Sequence, residues 1–221
     1  MNTRPDGRDG RARPEVWSGL RARLDLLTSA YRLKDEVRKG WVLRGVAAPE
    51  SVADHCWGTA ILCQLFAVEA GVDRERAVAI ALLHDIAEAI TGDVVARVAD
   101  ADREVSIESK AASENAAIAQ LLSPSGPIME EVKELWTAYE ERTDPAARFV
   151  RDMNLVDMCI QAAIYERQQR YDKSVTVPSQ GGFEHLDEFI VSAEQRLDSA
   201  LAKELLLLVK SEYEAARDAR I

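Results

Sequence analysis

One short segment of the sequence combines residues that could hold a metal ion. His84 and Asp85 are adjacent in ALLHDIAEAI, and Glu88 follows one helical turn later, so a helix would place all three on one face. Burying two acids and an imidazole without partners costs several kcal/mol. Imidazole and carboxylate groups are ordinary ligands of divalent zinc, manganese, cobalt or iron. The spacing therefore indicates either a divalent-metal site or a buried network of ion pairs.

A second histidine lies earlier in the chain, in another segment with a helical pattern. His55 is in line with Val52 and Thr59, on the stripe that is expected to face the core. A lone histidine at such a position is typical of an ordinary buried residue, but two adjacent antiparallel helices would bring it beside His84. The remaining histidine, His185, is interpreted as a surface residue.

The hydrophobic pattern that must position these residues is helical almost throughout. Ser51 and Asp54 form a Ser-x-x-Asp arrangement that predicts a helix start. Residues 1–15 are expected to be a disordered leader, and loops are expected at 92–102 and 172–182. The sequence predicts an all-α bundle of six or seven helices. The expected helices cover 16–38, 51–70, 74–90, 103–122, 127–141, 145–171 and 184–218.

Composition and charge argue against several classes of protein. The chain has 221 residues and a net charge of −10, which argues against nucleic-acid polymers as partners but not against a small phosphorylated substrate. No apolar run reaches the roughly 18 residues of a membrane span, and the basic leader lacks the apolar core of a secretory signal. Cys56, Cys63 and Cys159 form no CxxC pair, which indicates buried free thiols and a cytoplasmic location.

Two separated motifs, SVADH and LLHDIAEAITGD, resemble the HD-domain phosphohydrolases. The likeness is greatest to the branch of 5′-deoxynucleotidases and HD-domain nucleotidase-like proteins. It extends to LKDEVRKGWVLRGVAAPESVADH upstream and to FVRDMNLVDMCIQAAIYE downstream, so it covers roughly residues 20–170. The resemblance implies a single HD domain over 16–221 and metal-dependent hydrolysis of phosphate esters.

The resemblance also implies a set of ligands for one divalent metal ion. The family holds its metal with a His, a His-Asp pair and a later Asp, and the first three match His55, His84 and Asp85. The fourth position falls on Asn154, whose neutral amide should lower the affinity or change the metal preference. Asp157, three residues further on the same helix face, is the alternative fourth ligand. Whether the ion is Co, Mn, Zn, Fe or Mg is left open.

Four further residues resemble family positions with roles in catalysis or substrate binding. Glu88 resembles the acid that orients the attacking water, and Asp93 the acid that protonates the leaving oxygen or contacts the sugar. Arg38 and Trp41 resemble the residues that hold the phosphate and pack against the sugar.

The activity that follows from the resemblance is removal of the 5′-phosphate from (deoxy)nucleoside monophosphates. Because of Asn154, a nucleotide-binding or regulatory protein with weakened catalysis is an alternative, as is another metal-dependent reaction on a specialised metabolite. The family often forms dimers, so the helix from 184 to 218 is a candidate dimer interface, although a last helix packed on its own bundle explains the pattern equally well. Lys110 and Glu114, one turn apart, are expected to be a solvated surface pair.

Overall fold

The computed structural model describes residues 14–95, 106–123, 126–175 and 183–219. Its helices are α1 (Pro14–Ala30), α2 (Lys39–Leu43), α3 (Val52–Phe66), α4 (Arg74–Leu83), α5 (Glu88–Thr91), α6 (Ile107–Leu121), α7 (Pro127–Glu141), α8 (Pro145–Gln168), α9 (Asp187–Glu194) and α10 (Ala200–Asp218), with a 3-10 helix at Tyr31–Lys34. The expectation of an all-helical bundle is confirmed, since the described residues contain only one isolated β-bridge and no strand.

Several boundaries differ from the sequence prediction. The helix expected over 74–90 ends at Leu83, and the chain turns through His84 to Ala87 before α5 begins. The long helix expected from 184 to 218 divides into α9 and α10. The Asp152 carboxylate on α8 accepts hydrogen bonds from the backbone N–H groups of Asp198 and Ser199, which fixes the start of α10. Residues 1–13, 96–102 and 176–182 of the expected leader and loops lie outside the described residues.

Local sequence signals explain where the helices around the site begin. Ser51 accepts from the backbone N–H of Asp54, and the Asp54 carboxylate accepts from the backbone N–H of Ser51, so the predicted cap of α3 is confirmed. Asp73 caps α4 in the same manner. Asp144 caps α8, and the following Pro145 occupies a position that favours proline because no N–H is needed there.

Helix α8 is the centre of the bundle, and α3, α4, α7, α9 and α10 all pack against it. Its buried residues occur on every side of the helix, which is the pattern of an element surrounded by others. The apolar members are Ala146, Ala147, Phe149, Val150, Met153, Leu155, Val156, Cys159, Ala162, Ala163 and Tyr165. All three cysteines of the chain are buried and free, as the sequence predicted.

The amphipathic helix α1 does not bury its larger apolar face. Ala22, Leu26 and Ala30 pack against a cluster formed by α6, α7 and the segment after His84. The longer side chains on the other face are between 51% and 60% exposed; they are Trp17, Leu20, Leu24, Leu27 and Tyr31. No helix in the described parts of the chain is long and apolar enough to cross a membrane.

The segment between the 3-10 helix and α3 folds back on the start of α3. Val37 and Ser51 form an antiparallel bridge, and the backbone N–H of Arg38 donates to the carbonyl of Glu50. The backbone N–H of Val52 donates to the carbonyl of Glu36. These bonds hold Arg38 beside the helix that carries His55.

Helices α3 and α8 approach closely at Gly58. A Cβ atom added to Gly58 would lie 2.1 Å from Oδ1 of Asp157, which is far inside a normal contact distance. The absence of a side chain therefore creates the space that the Asp157 carboxylate occupies.

We expect Gly58→Ala to lower the free energy of unfolding of the metal-free protein by about 1–3 kcal/mol, because Asp157 must move. Gly19→Ala in α1 is the matched control, since no atom lies within 4 Å of its added Cβ; it should raise stability by about 0.5–1 kcal/mol. Urea unfolding measures both. A Gly58→Ala protein as stable as the wild type would contradict the close approach.

Candidate metal and phosphate site

The turn after α4 brings His84 against His55 of α3. Their ring centroids are 5.3 Å apart, and both side chains are fully buried. Neither Nε2 atom has a hydrogen-bond partner among the described residues. Two buried and unpartnered imidazole nitrogens on adjacent helices are costly unless another group satisfies them.

The other nitrogen of each imidazole is held by the protein. His84 Nδ1 lies 2.7 Å from the Ala81 carbonyl oxygen, so it must carry a proton and donate it. His55 Nδ1 lies 2.6 Å from Oδ2 of Asp157. When each ring is neutral and carries its proton on Nδ1, both Nε2 atoms present lone pairs, which is the arrangement of histidines that bind metals.

The Asp85 carboxylate joins the two Nε2 atoms. Its Oδ2 is 3.1 Å from Nε2 of His84 and 3.9 Å from Nε2 of His55. One ligand atom from each of the three residues lies within 4.8 Å of the others. Two imidazoles and one carboxylate converge on one point, and this donor set fits a divalent transition metal or zinc.

The two imidazoles have opposite shifts in pKa in the metal-free protein. Burial lowers the pKa of His55 well below its ordinary value, and the nearby Arg38 cation lowers it further. Burial also lowers the pKa of His84, but the Asp85 carboxylate overrides this effect and raises it well above its ordinary value. The carboxylate of Asp85 therefore stabilises one positive charge in the centre of the cluster.

The two candidates for the fourth ligand occupy different places. Asp157 contacts Nδ1 of His55, the ring nitrogen that does not face Asp85, so it orients the imidazole. Asn154 donates from Nδ2 to the Tyr139 hydroxyl at 2.6 Å, and the Tyr139 ring packs on His84 with centroids 4.9 Å apart. Asn154 is thus linked to the cluster through a tyrosine.

Arg38 lies among acids. Its Nε is 3.8 Å from Oε1 of Glu50, and its side chain is mostly buried. Burial alone would lower the pKa of Arg38, but the surrounding carboxylates raise it above its ordinary value. These carboxylates belong to Glu50, Asp93, Asp85 and Glu88.

Trp41 does not fit the predicted contact with a sugar, because the side chain is only 1% exposed. The indole N–H donates to Oε1 of Glu50 at 2.9 Å. The ring packs on Phe189 at 4.0 Å and on Tyr165 at 5.1 Å between centroids. Trp41 therefore acts from within the core: it holds the Glu50 carboxylate, which lies next to Arg38.

Glu88 and Asp93 lie at the two ends of the short helix α5. Burial raises the pKa of Glu88 well above its ordinary value, and Asp85 and Asp93 raise it further. Burial also raises the pKa of Asp93, whose Oδ2 accepts from the backbone N–H of Lys39 at 2.6 Å. Between them, Gly92 has a φ of +72°, a conformation that favours glycine and turns the chain towards Lys39.

Sequence reasoning missed or misread three features near these residues. Glu50 had no assigned role, although it directly precedes the cap of α3. The expectation that Lys110 and Glu114 form a solvated pair was wrong, since Glu114 is only 7% exposed. The interpretation of His185 as a surface residue was also wrong, because its partly buried ring bonds to the hydroxyl of Tyr171 and to a second partner, the carboxylate of Glu166.

We expect Asp157→Asn to weaken binding of Co²⁺ or Zn²⁺ by about 10- to 100-fold while leaving the helical fold intact, because it weakens the group that orients His55. Titration calorimetry of the metal-stripped protein measures the affinity, and circular dichroism measures the fold. Exposed Asp25→Asn serves as the control. An unchanged affinity in Asp157→Asn would remove the orienting role.

Comparison with known proteins agrees with this arrangement. The family described as HD domain matches residues 30–190. The 5′-deoxynucleotidase hdd1 of Schizosaccharomyces pombe is 35% identical over 150 residues, which are 66% of this chain and 73% of the relative. The 5′-deoxynucleotidase HDDC2 of Bos taurus is 38% identical over 150 residues, 67% of this chain and 70% of the relative.

A crystal structure of a Pyrococcus horikoshii protein superposes with a TM-score of 0.63 and 28% identity, covering 86% of this chain and 98% of the other. The motifs SVADH and LLHDIAEAITGD lie within the matched residues, so the resemblance seen in the sequence is confirmed. The chain belongs to the HD domain family.

Proposed function

We propose that this protein is a metal-dependent phosphomonoester hydrolase that removes the 5′-phosphate from (deoxy)nucleoside monophosphates. The convergence of His55, His84 and Asp85, with two unpartnered Nε2 atoms, is the observation that carries the proposal. The similarity to two proteins named 5′-deoxynucleotidase supports the choice of substrate class.

We propose one divalent ion in this site, with His55, His84 and Asp85 as ligands and Asn154 as the fourth. The third histidine of the chain, His185, takes no part in the site, since it bonds to Tyr171. The chemistry that a divalent ion supplies in such a site is Lewis-acid polarisation of the phosphoryl group and activation of water.

The surrounding side chains supply the remaining steps. Arg38 offers a guanidinium fork to phosphate oxygens, and Glu50 lies 3.8 Å from its Nε. Glu88 orients the attacking water and receives its proton as the new O–P bond forms. Asp93, which accepts from the backbone N–H of Lys39 beside Arg38, can in its protonated form give a proton to the 5′-oxygen as the bond from phosphorus to that oxygen breaks.

A cavity of about 440 Å³ opens beside Glu88, between the 3-10 helix, α2 and α5. Its volume is within the range of small-molecule sites. Arg32 and Lys39 contribute cationic groups to the lining, and Asp35 and Glu36 contribute acids in addition to Glu88. These groups give the proposed substrate a polar entrance on the side of the cluster where Glu88 lies.

We expect the metal-stripped protein, supplied again with Co²⁺, Mn²⁺, Zn²⁺ or Mg²⁺, to release phosphate from a panel of nucleoside 5′-monophosphates. Asp85→Asn should lower kcat at least about 100-fold, because it removes the only charged ligand, whereas Asp25→Asn should retain wild-type turnover. Phosphate release from folded wild-type protein that needs no metal, or that survives Asp85→Asn, would refute the mechanism.

Asn154 supports a second candidate, a nucleotide-binding or regulatory protein with weakened catalysis. A neutral amide gives a bound cation less stabilisation than the carboxylate at that position in the family. The same assay with Asn154→Asp separates the two functions. Turnover in the wild type supports the hydrolase, whereas nucleotide binding without turnover, together with turnover in Asn154→Asp, supports the binding protein.

We also propose that the protein acts in the cytoplasm as a homodimer. The exposed apolar face of α1, from Trp17 to Leu27, continues to Tyr31 of the 3-10 helix and provides a surface for a second copy. On α10, the interface suggested by the sequence, Leu207 and Leu208 are exposed as well. A monomer in sedimentation velocity at micromolar concentration would remove the dimer from the proposal.

A further inference from the structure

Helix α6 carries two charged residues at positions that face the protein interior. Ala117, Ile118 and Leu121 are buried on this helix and form a cluster with Ile86 and Ala87, which directly follow Asp85. Glu114 lies one turn earlier and Lys110 two turns earlier on the same face, since side chains three and four positions apart share a face of a helix. This face of α6, including its two charged residues, therefore lies along the segment that carries Asp85 and Glu88.

The two residues form an ion pair in this position. Nζ of Lys110 is 3.2 Å from Oε1 of Glu114, and their side chains are 35% and 10% exposed. A carboxylate this deeply buried requires a partner, which Lys110 supplies. An ammonium group has three donors, so one ion pair leaves donors that can bind a ligand from the open side.

Two cations act on the same acids. Burial raises the pKa of Glu88, and both Lys110 and Arg38 oppose this rise. The same two cations oppose the rise that burial causes in the pKa of Asp93. Helix α6 packs against α5, which begins at Glu88, so Lys110 approaches these acids from α6 while Arg38 approaches them from the segment before α2.

We infer that Lys110 is a second phosphate-binding residue, held in place by Glu114 and acting together with Arg38 on one phosphate group. This inference rests on the proposed function, because it assigns the residue to the same phosphomonoester substrate. Lys110 provides a point charge on the α6 side, whereas Arg38 provides a planar fork on the α2 side.

The charge of the site explains why a second cation is needed. A phosphomonoester carries up to two negative charges near neutral pH, and it must enter a region that already contains Asp85, Glu88 and Asp93. The whole chain has a net charge of −10, so attraction must come from individual cations near the site. Glu114 keeps the flexible lysine side chain in one position and thereby reduces the entropy lost on binding.

The test measures inorganic phosphate as the ligand of the metal-loaded protein, by calorimetry and by competitive inhibition of turnover. Lys110→Met should weaken phosphate binding about 10- to 100-fold and raise KM for the nucleotide, since it removes one charge-assisted hydrogen bond. Metal affinity should remain unchanged. Lys133→Met removes the same charge from the exposed side of α7 and should behave as the wild type.

Glu114→Gln tests the positioning role. It should weaken phosphate binding less than Lys110→Met does, and adding it to Lys110→Met should restore thermal stability without restoring phosphate affinity. If the lysine only neutralises Glu114, Lys110→Met will lose stability and keep wild-type phosphate affinity, and the inference is overturned.

The hydrolase proposal can fail independently of the role inferred for Lys110. If no nucleotide is hydrolysed but phosphate binds the wild type and not Lys110→Met, the hydrolase proposal fails and the phosphate-binding role of Lys110 is supported. Wild-type protein that binds no phosphate at millimolar concentration overturns the inference.

Discussion

The structure depends on one constraint, the burial of ionisable groups where α3, α4 and α8 meet. His55 and His84 have no access to water, and removing such groups from water is costly unless partners replace it. The protein satisfies both Nδ1 atoms and leaves both Nε2 atoms directed towards Asp85. A metal ion between them would complete the arrangement, and the fold holds these side chains in position for it.

Support for this centre comes from residues without chemical roles of their own. Gly58 has no side chain, so α8 can bring Asp157 to His55. The carbonyl of Ala81 fixes the tautomer of His84, and Tyr139 packs on its ring. Since α8 is enclosed by five other helices, its side chains have little freedom to move. The geometry of the centre is therefore a property of the core rather than of a loop.

The acidic character of the chain shapes how the site can accept an anionic substrate. Carboxylates are needed for metal binding and proton transfer, but they repel a phosphate group. In our proposal Arg38 and Lys110 counter this repulsion, and each lies beside a largely buried acid, Glu50 or Glu114. The segment from Glu36 to Arg38 matters for the same reason, because its backbone bonds to the start of α3 hold Arg38 beside the site.

The sequence by itself determined the helical class, the cap of α3, the free cysteines and the family. The first three follow from the local pattern of residue types along the chain, and the family follows from two motifs, SVADH and LLHDIAEAITGD, that occur in the right order. It also predicted His55, His84 and Asp85 as one group. Only the tertiary structure decided which face of α1 is buried, that the last helix divides, and that Trp41 supports Glu50 from within the core. The difference between Asn154, linked to Tyr139, and Asp157, bonded to His55, also emerged only from packing. Periodicity gives the face of a helix on which a residue lies, whereas its partners depend on which other helices meet that face.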